Sequence, residues 1–186
     1  MLSKAEQEHL LKIARESVES IAKTGKCPEI GNSMKTLDQK LGAFVTLRKN
    51  GRLRGCIGTF SPAGIPLYQV VSQMAVAAAT QDYRFAPVAL DELPKISYEI
   101  SVLSPLKKVN DWKEIRLGVH GVKVERNGRS GVFLPQVATE TGWDLDEFMG
   151  ELCSQKAGLP RDCWKDPATS LYTFTAEIFG DRTFIS

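Results

Sequence analysis

The chain has 186 residues, 42% hydrophobic and 25% charged, with a net charge of +2. That length suits one domain, or two small subdomains sharing a core, and folding should bury roughly 70% of the unfolded surface. So weak a positive balance does not point to nucleic acid, and no apolar run approaches the roughly 18 residues that span a bilayer.

The first twenty residues carry a charged or polar group every two or three positions, so no signal peptide is expected and the chain reads as cytoplasmic. Ser3 and Glu6 form a capping-box pattern that opens a helix. Leu10, Ala14, Val18 and Ile21 give it one apolar face, and Gly25 sits where a C′ glycine ends it. Residues 26–42 read as a polar wrapping loop. Phe44 to Leu47 is β-prone, and Asn50-Gly51 suits a two-residue type I′ turn. Such a turn pairs Lys49 with Arg52, Leu47 with Arg54 and Val45 with Cys56. A helix carrying Leu67, Val70, Val71, Met74, Ala75 and Ala78 on one face follows. Asp82 to Pro87 breaks its period, and Ile96, Tyr98, Ile100 and Val102 then alternate as in a half-buried strand.

The second half has the same grammar. Val119–Glu125 leads through Asn127-Gly128 to Val132-Phe133-Leu134. Asp144 and Glu147 form another capping-box signature, and Leu171 to Phe179 reads as one final strand. The two Asn-Gly turns, the helices and the strands share an offset of 77 residues. The offset marks either an internal duplication, with halves 43–103 and 120–180, or a chance recurrence of a common arrangement.

The most informative stretch is Leu53-Arg54-Gly55-Cys56-Ile57-Gly58. Glycine weakens a strand, and two of them around a cysteine suggest close approach by a ligand or by another chain segment. On the simple register Arg54, Cys56 and Gly58 share a face. A one-residue bulge would break that argument. Cys56 is then either a thiolate favoured by its arginine neighbour or a packed cysteine.

Four further sites carry paired readings. In Asp82-Tyr83-Arg84-Phe85, Arg84 either forks onto an anion or pairs with Asp82 to fix the loop. Glu99 is either a general base or a carboxylate on a solvated sheet face. His120, between Gly118 and Gly121, is either a proton-transfer partner of Cys56 or structural. The basic residues around both turns are either phosphate contacts or solvated hairpin tips.

Cys27, Cys56, Cys153 and Cys163 form no C-x-x-C pair, and His9 and His120 are the only histidines. No metal site and no cofactor are expected. A reducing compartment and a sizeable core lead us to expect Cys27, Cys153 and Cys163 reduced and unbridged. Phosphate-loop, dinucleotide and nucleophile-elbow motifs are absent.

The hexapeptide resembles the signature of the AMMECR domain family. Gly42 to Leu47, Asp82 to Phe85, Ile100 to Leu103, Gly118 to Gly121, Leu134 to Val137 and Lys156 to Pro160 resemble its other blocks, in order. The resemblance covers the chain from about residue 5 to the end, so residues 1–186 read as a single AMMECR domain. It implies an α+β fold of two subdomains of unequal size, with mostly antiparallel sheets, packed helices and a cleft between the subdomains. It implies no established reaction. Microbial members resembling this chain are encoded beside, or fused to, Memo-like and radical-SAM proteins, which are therefore the expected partners. The resulting expectation is an enzyme, or enzyme-system component, that binds a small or nucleotide-like ligand. Arg54, Gly55, Gly58, Asp82 and Arg84 would bind the ligand, and Cys56, Glu99 and His120 would act on it. The alternative is a non-catalytic binding module for a peptide or nucleic acid, with Cys56 packed.

Overall fold

The structure, a computed structural model, describes residues 1–31, 34–60 and 64–181. Ser61 and Pro62, which follow the hexapeptide, and part of the 26–42 loop lie outside the described residues. The chain divides into two units of unequal size. Unit 1 is Met1–Leu103 together with the chain from Glu177, and unit 2 is Ser104–Ala176. Each contains one four-stranded sheet.

Unit 1 opens with α1 (Lys4–Thr24). The capping box of Ser3 and Glu6 starts it, and Gly25 ends it in the left-handed region at φ 68°. The hairpin β1 (Ala43–Lys49) and β2 (Arg52–Thr59) turns at Asn50 and Gly51, both with positive φ, as a type I′ turn requires. Next come α2 (Leu67–Thr80) and β3 (Ile96–Leu103). Leu10, Ile13, Ala14 and Val18 of α1 join Val70, Val71, Ala75 and Ala78 of α2 in one core with Val45, Leu47, Tyr98 and Ile100. Between the helices Ser17 and Ser72 satisfy each other at 2.8 Å, so neither buried hydroxyl is left without a partner.

Unit 2 contains β4 (Lys107–Val109), β5 (Gly121–Arg126), β6 (Arg129–Phe133), α3 (Pro135–Thr141), α4 (Leu145–Glu151) and β7 (Ser170–Phe174). Asp144 caps α4 with Glu147 reaching back, and a π turn over Leu152–Lys156 continues it. Phe148, Met149 and Leu152 pack with Val122, Val124, Phe133 and Trp164. Two elements were not anticipated. One is α3, which begins at a proline suited to a first helical position. The other is β4, too short to show alternation.

The expected single strand Leu171–Phe179 is two strands in different sheets. β7 stops at Phe174, and β8 (Ala176–Gly180) joins the sheet of unit 1 beside β3. Likewise β4, which follows β3 in sequence, joins unit 2 beside β7. The strand orders are β2-β1-β3-β8 and β6-β5-β7-β4. They match element for element, each half ending in a strand that belongs to the other sheet.

The cysteine expectation is corrected as well. Cys153 and Cys163 are joined in a disulfide with their Cα atoms 6.3 Å apart, while Cys27 and Cys56 are free. The π turn directs Cys153 into the core of unit 2, and the turn at Cys163–Lys165 brings Cys163 beside it, both side chains buried. The sequence argument rested on compartment and core size, and neither senses that juxtaposition. Among the described residues no helix is long and apolar enough to cross a membrane.

Candidate functional site

The hairpin register differs from the simple one after two pairs. Lys49 faces Arg52 and Arg48 faces Leu53, but Leu47 then faces Gly55, Thr46 faces Cys56, and Val45 faces Ile57. A bulge leaves Arg54 as the extra residue. Bulges re-aim side chains, and this one sends Arg54 away from the Cys56 face. Arg54 forks onto Glu92, Nε to Oε1 at 3.0 Å and Nη2 to Oε2 at 2.8 Å, and its side chain is only 13% exposed. Lys49 Nζ donates to the same carboxylate at 2.8 Å, as does the Ala89 amide at 3.0 Å. Arg54 above all holds the Glu92 carboxyl well below the usual range, against the opposing effect of burial.

A second buried carboxylate closes the other side. Asp82, with its side chain 2% exposed, accepts from Arg84 Nε at 2.9 Å and Nη2 at 2.7 Å. It also accepts from the amides of Arg84 at 3.2 Å and Cys56 at 2.9 Å. The Arg84 fork is the main reason its carboxyl titrates far below normal. β2 is a sheet edge, and Asp82 satisfies the outward Cys56 amide that would otherwise invite another strand. Phe85 lies within 6 Å of both guanidinium groups, 5.8 Å from Arg54 and 5.5 Å from Arg84. Both arginine forks are thus committed to carboxylates of the chain itself.

The glycines are filled from within the protein. A Cβ on Gly55 would overlap the Ala78 carbonyl of α2, and one on Gly58 would overlap the Phe44 ring. Of the two reasons sequence offers for such glycines, the approach of another chain segment is the one present.

The remaining residues form a polar row across the sheet. Thr46 faces Cys56 on one side and Glu99 on the other, so all three share the face opposite Val45 and Leu47. The Thr46 hydroxyl donates to Cys56 Sγ at 3.2 Å. Glu99 is half-buried and makes no hydrogen bond or ion pair among the described residues. It lines a concavity of about 770 Å³ in unit 1, with Arg15, Arg48, Lys95, Ser97 and Asp181. Arg54 lines a neighbouring concavity of about 520 Å³ with Lys49, Arg52 and Leu53; Asn50 lines both, and Cys56 lines neither. His120 sits in unit 2 just before β5, where its Nδ1 accepts from the Arg116 amide at 3.2 Å. The structure therefore brings Arg54, Asp82 and Arg84 around Cys56 as a frame and puts Glu99 in its row. It does not place His120 in that unit.

Sequence reasoning missed Glu92 and Thr46. Thr46 was within reach, because counting the bulge puts it opposite Cys56. Glu92 gave no local signal, since its partner lies 38 residues away.

These observations define an α+β protein of two antiparallel four-stranded units, with a polar sheet face in the larger one. The chain belongs to the AMMECR1 family, whose model matches residues 11–179. A protein of Methanothermobacter thermautotrophicus is 44% identical over 96% of this chain and 95% of its own length. Protein PYRAB00100 of Pyrococcus abyssi is 43% identical over 94% of this chain and 90% of its own. The crystal structure of the uncharacterized protein PH0010 from Pyrococcus horikoshii superposes with a TM-score of 0.86 at 40% identity, covering 97% of this chain and 94% of that one.

Proposed function

We propose that this protein is the ligand-binding component of an enzyme system, acting with Memo-like and radical-SAM proteins. In this reading a small, nucleotide-like molecule occupies the concavity lined by Arg48, Ser97 and Glu99. The observation that supports it is the Glu99 carboxylate, which has no partner among the described residues. A half-buried carboxylate without a partner costs stability, and a ligand offering N–H donors removes that cost. Lys95 on the same wall supplies a cationic group for a phosphate, and about 770 Å³ is the size of a small-molecule site. Glu99 is the residue nearest the ligand, and Cys56 shares its sheet face without lining the concavity. Arg54, Asp82 and Arg84 hold the strand that carries Cys56, with Gly55 and Gly58 admitting its neighbours, and His120 has no part.

The test is calorimetric titration of wild type and Glu99→Gln with nucleoside monophosphates. Charge-assisted hydrogen bonds contribute about 1.5–3 kcal/mol. The best-bound nucleotide should therefore lose roughly 10- to 100-fold in affinity on substitution. Binding of no nucleotide at millimolar concentration, or equal binding by both proteins, would overturn the proposal.

One observation favours a second reading, a docking module. Tyr83 is 95% exposed on the turn that Asp82 and Arg84 lock, and rigidly presented aromatics are typical anchors. Tyr83→Ala would then weaken association with a purified Memo-like protein, read by surface plasmon resonance, and leave nucleotide binding unchanged.

A further inference from the structure

We infer that Glu99 recognises the vicinal 2′- and 3′-hydroxyls of a ribose. The inference rests on the proposed reading of the same concavity as the ligand site. An ionised carboxylate has two acceptor oxygens and no donor. Glu99 makes no hydrogen bond or ion pair among the described residues, so neither oxygen is used by them. The ligand must therefore bring two donors side by side, or leave one oxygen without a partner. A ribonucleotide carries donors in two places, on the edge of its base and on its sugar.

The lining decides between them. Bases are held by stacking on aromatic or broad apolar faces. No aromatic side chain lines this concavity among the described residues, and Pro94 and Ile96 are the apolar residues of its lining. Hydroxyls need no such platform. In dinucleotide-binding folds an acidic side chain takes a ribose hydroxyl in the same manner. A diol is also neutral, so its fit to Glu99 does not depend on the balance of charge along the wall.

The order of residues along the wall suits a sugar phosphate. Ser97 lies two residues before Glu99 on the same face of β3, about 7 Å along the strand, and Lys95 precedes the strand. Neither the Ser97 hydroxyl nor the Lys95 ammonium has a partner among the described residues. The vicinal hydroxyls and the 5′-phosphate leave a ribose from opposite sides of the ring. With the hydroxyls on Glu99, the phosphate lies past Ser97 toward Lys95, and the base is left unread.

The experiment is equilibrium titration of the full chain, as wild type and as Glu99→Gln. The ligands are ribose 5-phosphate, 2-deoxyribose 5-phosphate, AMP, GMP, CMP, UMP, 2′-deoxyAMP and inorganic phosphate. Equal melting temperatures establish that the variant folds, and the deoxy forms test the assignment in wild type alone. Wild type should bind AMP and ribose 5-phosphate roughly 10-fold or more tightly than their deoxy forms, the range of a hydrogen bond to a charged group. The four ribonucleotides should bind alike. Glu99→Gln should weaken AMP by a similar factor and bring it close to 2′-deoxyAMP, because removing either partner of one contact removes the same interaction. A merely structural role for Glu99 would weaken AMP and 2′-deoxyAMP together and keep their ratio.

Wild-type binding of 2′-deoxyAMP as tight as that of AMP overturns the ribose assignment and leaves the nucleotide site standing. So does an unchanged ratio in Glu99→Gln, or a strong preference for one base. Phosphate binding as tightly as ribose 5-phosphate also overturns it, since the sugar is then not read. Ribose 5-phosphate bound with every nucleotide refused keeps the assignment and overturns the nucleotide reading. Binding of none of these ligands overturns both.

Discussion

Replacing Gly55 with alanine separates two reasons for a glycine inside a strand. A glycine kept only to open backbone to a ligand is a liability to the fold, because alanine at such a site is better by about 0.5–1 kcal/mol. On that account Gly55→Ala would stabilise the protein. The structure gives the opposite sign. The new methyl would land on the backbone oxygen of Ala78, late in α2. That helix cannot retreat freely, since Ala75, Ala78 and Ala79 are fully packed into the core. Strand and helix must separate, and overpacking of this kind costs typically about 1–3 kcal/mol. For a chain of this length that lowers the melting temperature by roughly 2–12 °C. Urea unfolding followed by circular dichroism reads the same loss as a lower midpoint at unchanged slope. The strand partner in unit 2 supplies a control. Gly131 faces Val124 as Gly55 faces Leu47, and a Cβ there would meet Lys156 and Ala157. Gly131→Ala should destabilise to a similar degree. A Gly55→Ala protein as stable as wild type would refute the packing account.

Two further predictions concern the buried carboxylates and the disulfide. Asp82 and Glu92 both titrate far below their unfolded values near 4, so each stabilises the fold fully above about pH 5 and loses that contribution as pH falls. Below pH 4 each contributes a slope of up to about 1.4 kcal/mol per pH unit. Urea midpoints from pH 5 to pH 3 should therefore fall steeply in wild type and less so in Asp82→Asn, and parallel curves would disprove the linkage. Denatured, unreduced protein should titrate two thiols, Cys27 and Cys56, and Cys163→Ser should cost about 3 kcal/mol through loss of a ten-residue cross-link. Four thiols, or an unchanged melt on reduction, would contradict the bridge.

What could be read from sequence was local. Ser3 with Glu6, Asp144 with Glu147, and both Asn-Gly turns are decided by residues within four positions of one another, and each is present. What could not be read depends on distant partners. The bulge at Arg54 lies between the Lys49–Arg52 pair at the turn and Gly55, which packs on Ala78 of α2. No spacing within Leu53–Gly58 encodes that. The commitment of Arg54 to Glu92 is likewise set by folding, so sequence left the fork open to a ligand. Glu99 was legible as a carboxylate in a strand, but its lack of a partner is a property of everything around it.

The same distinction explains the final strand. Tyr172, Phe174, Ala176 and Ile178 alternate without interruption, and alternation specifies a pleated segment but not which neighbours it pairs with. Thr175 is the one residue between β7 and β8, and its amide and carbonyl are taken by Ser104, the residue that follows β3. The two crossings between sheets thus lie side by side, one after β3 and one after β7. Each sheet receives its fourth strand from the other half of the chain, and the offset between hairpins becomes 76 instead of 77 once the extra Arg54 is passed, taking Gly55 to Gly131. Agreement in turn, register, glycine and strand order is more than a recurring hairpin and helix supplies. We propose an internal duplication as its origin, with the bulge as the point where the halves diverged. In unit 1 the bulge turns Arg54 from the sheet face toward Glu92 and leaves Cys56 in a row with Thr46 and Glu99. In unit 2 the regular pairing puts Val132 opposite Lys123 instead. Val132 and Lys123 hold the places of Cys56 and Thr46 there, so the side chains at those places, and not the inserted residue, leave the smaller unit without the polar row.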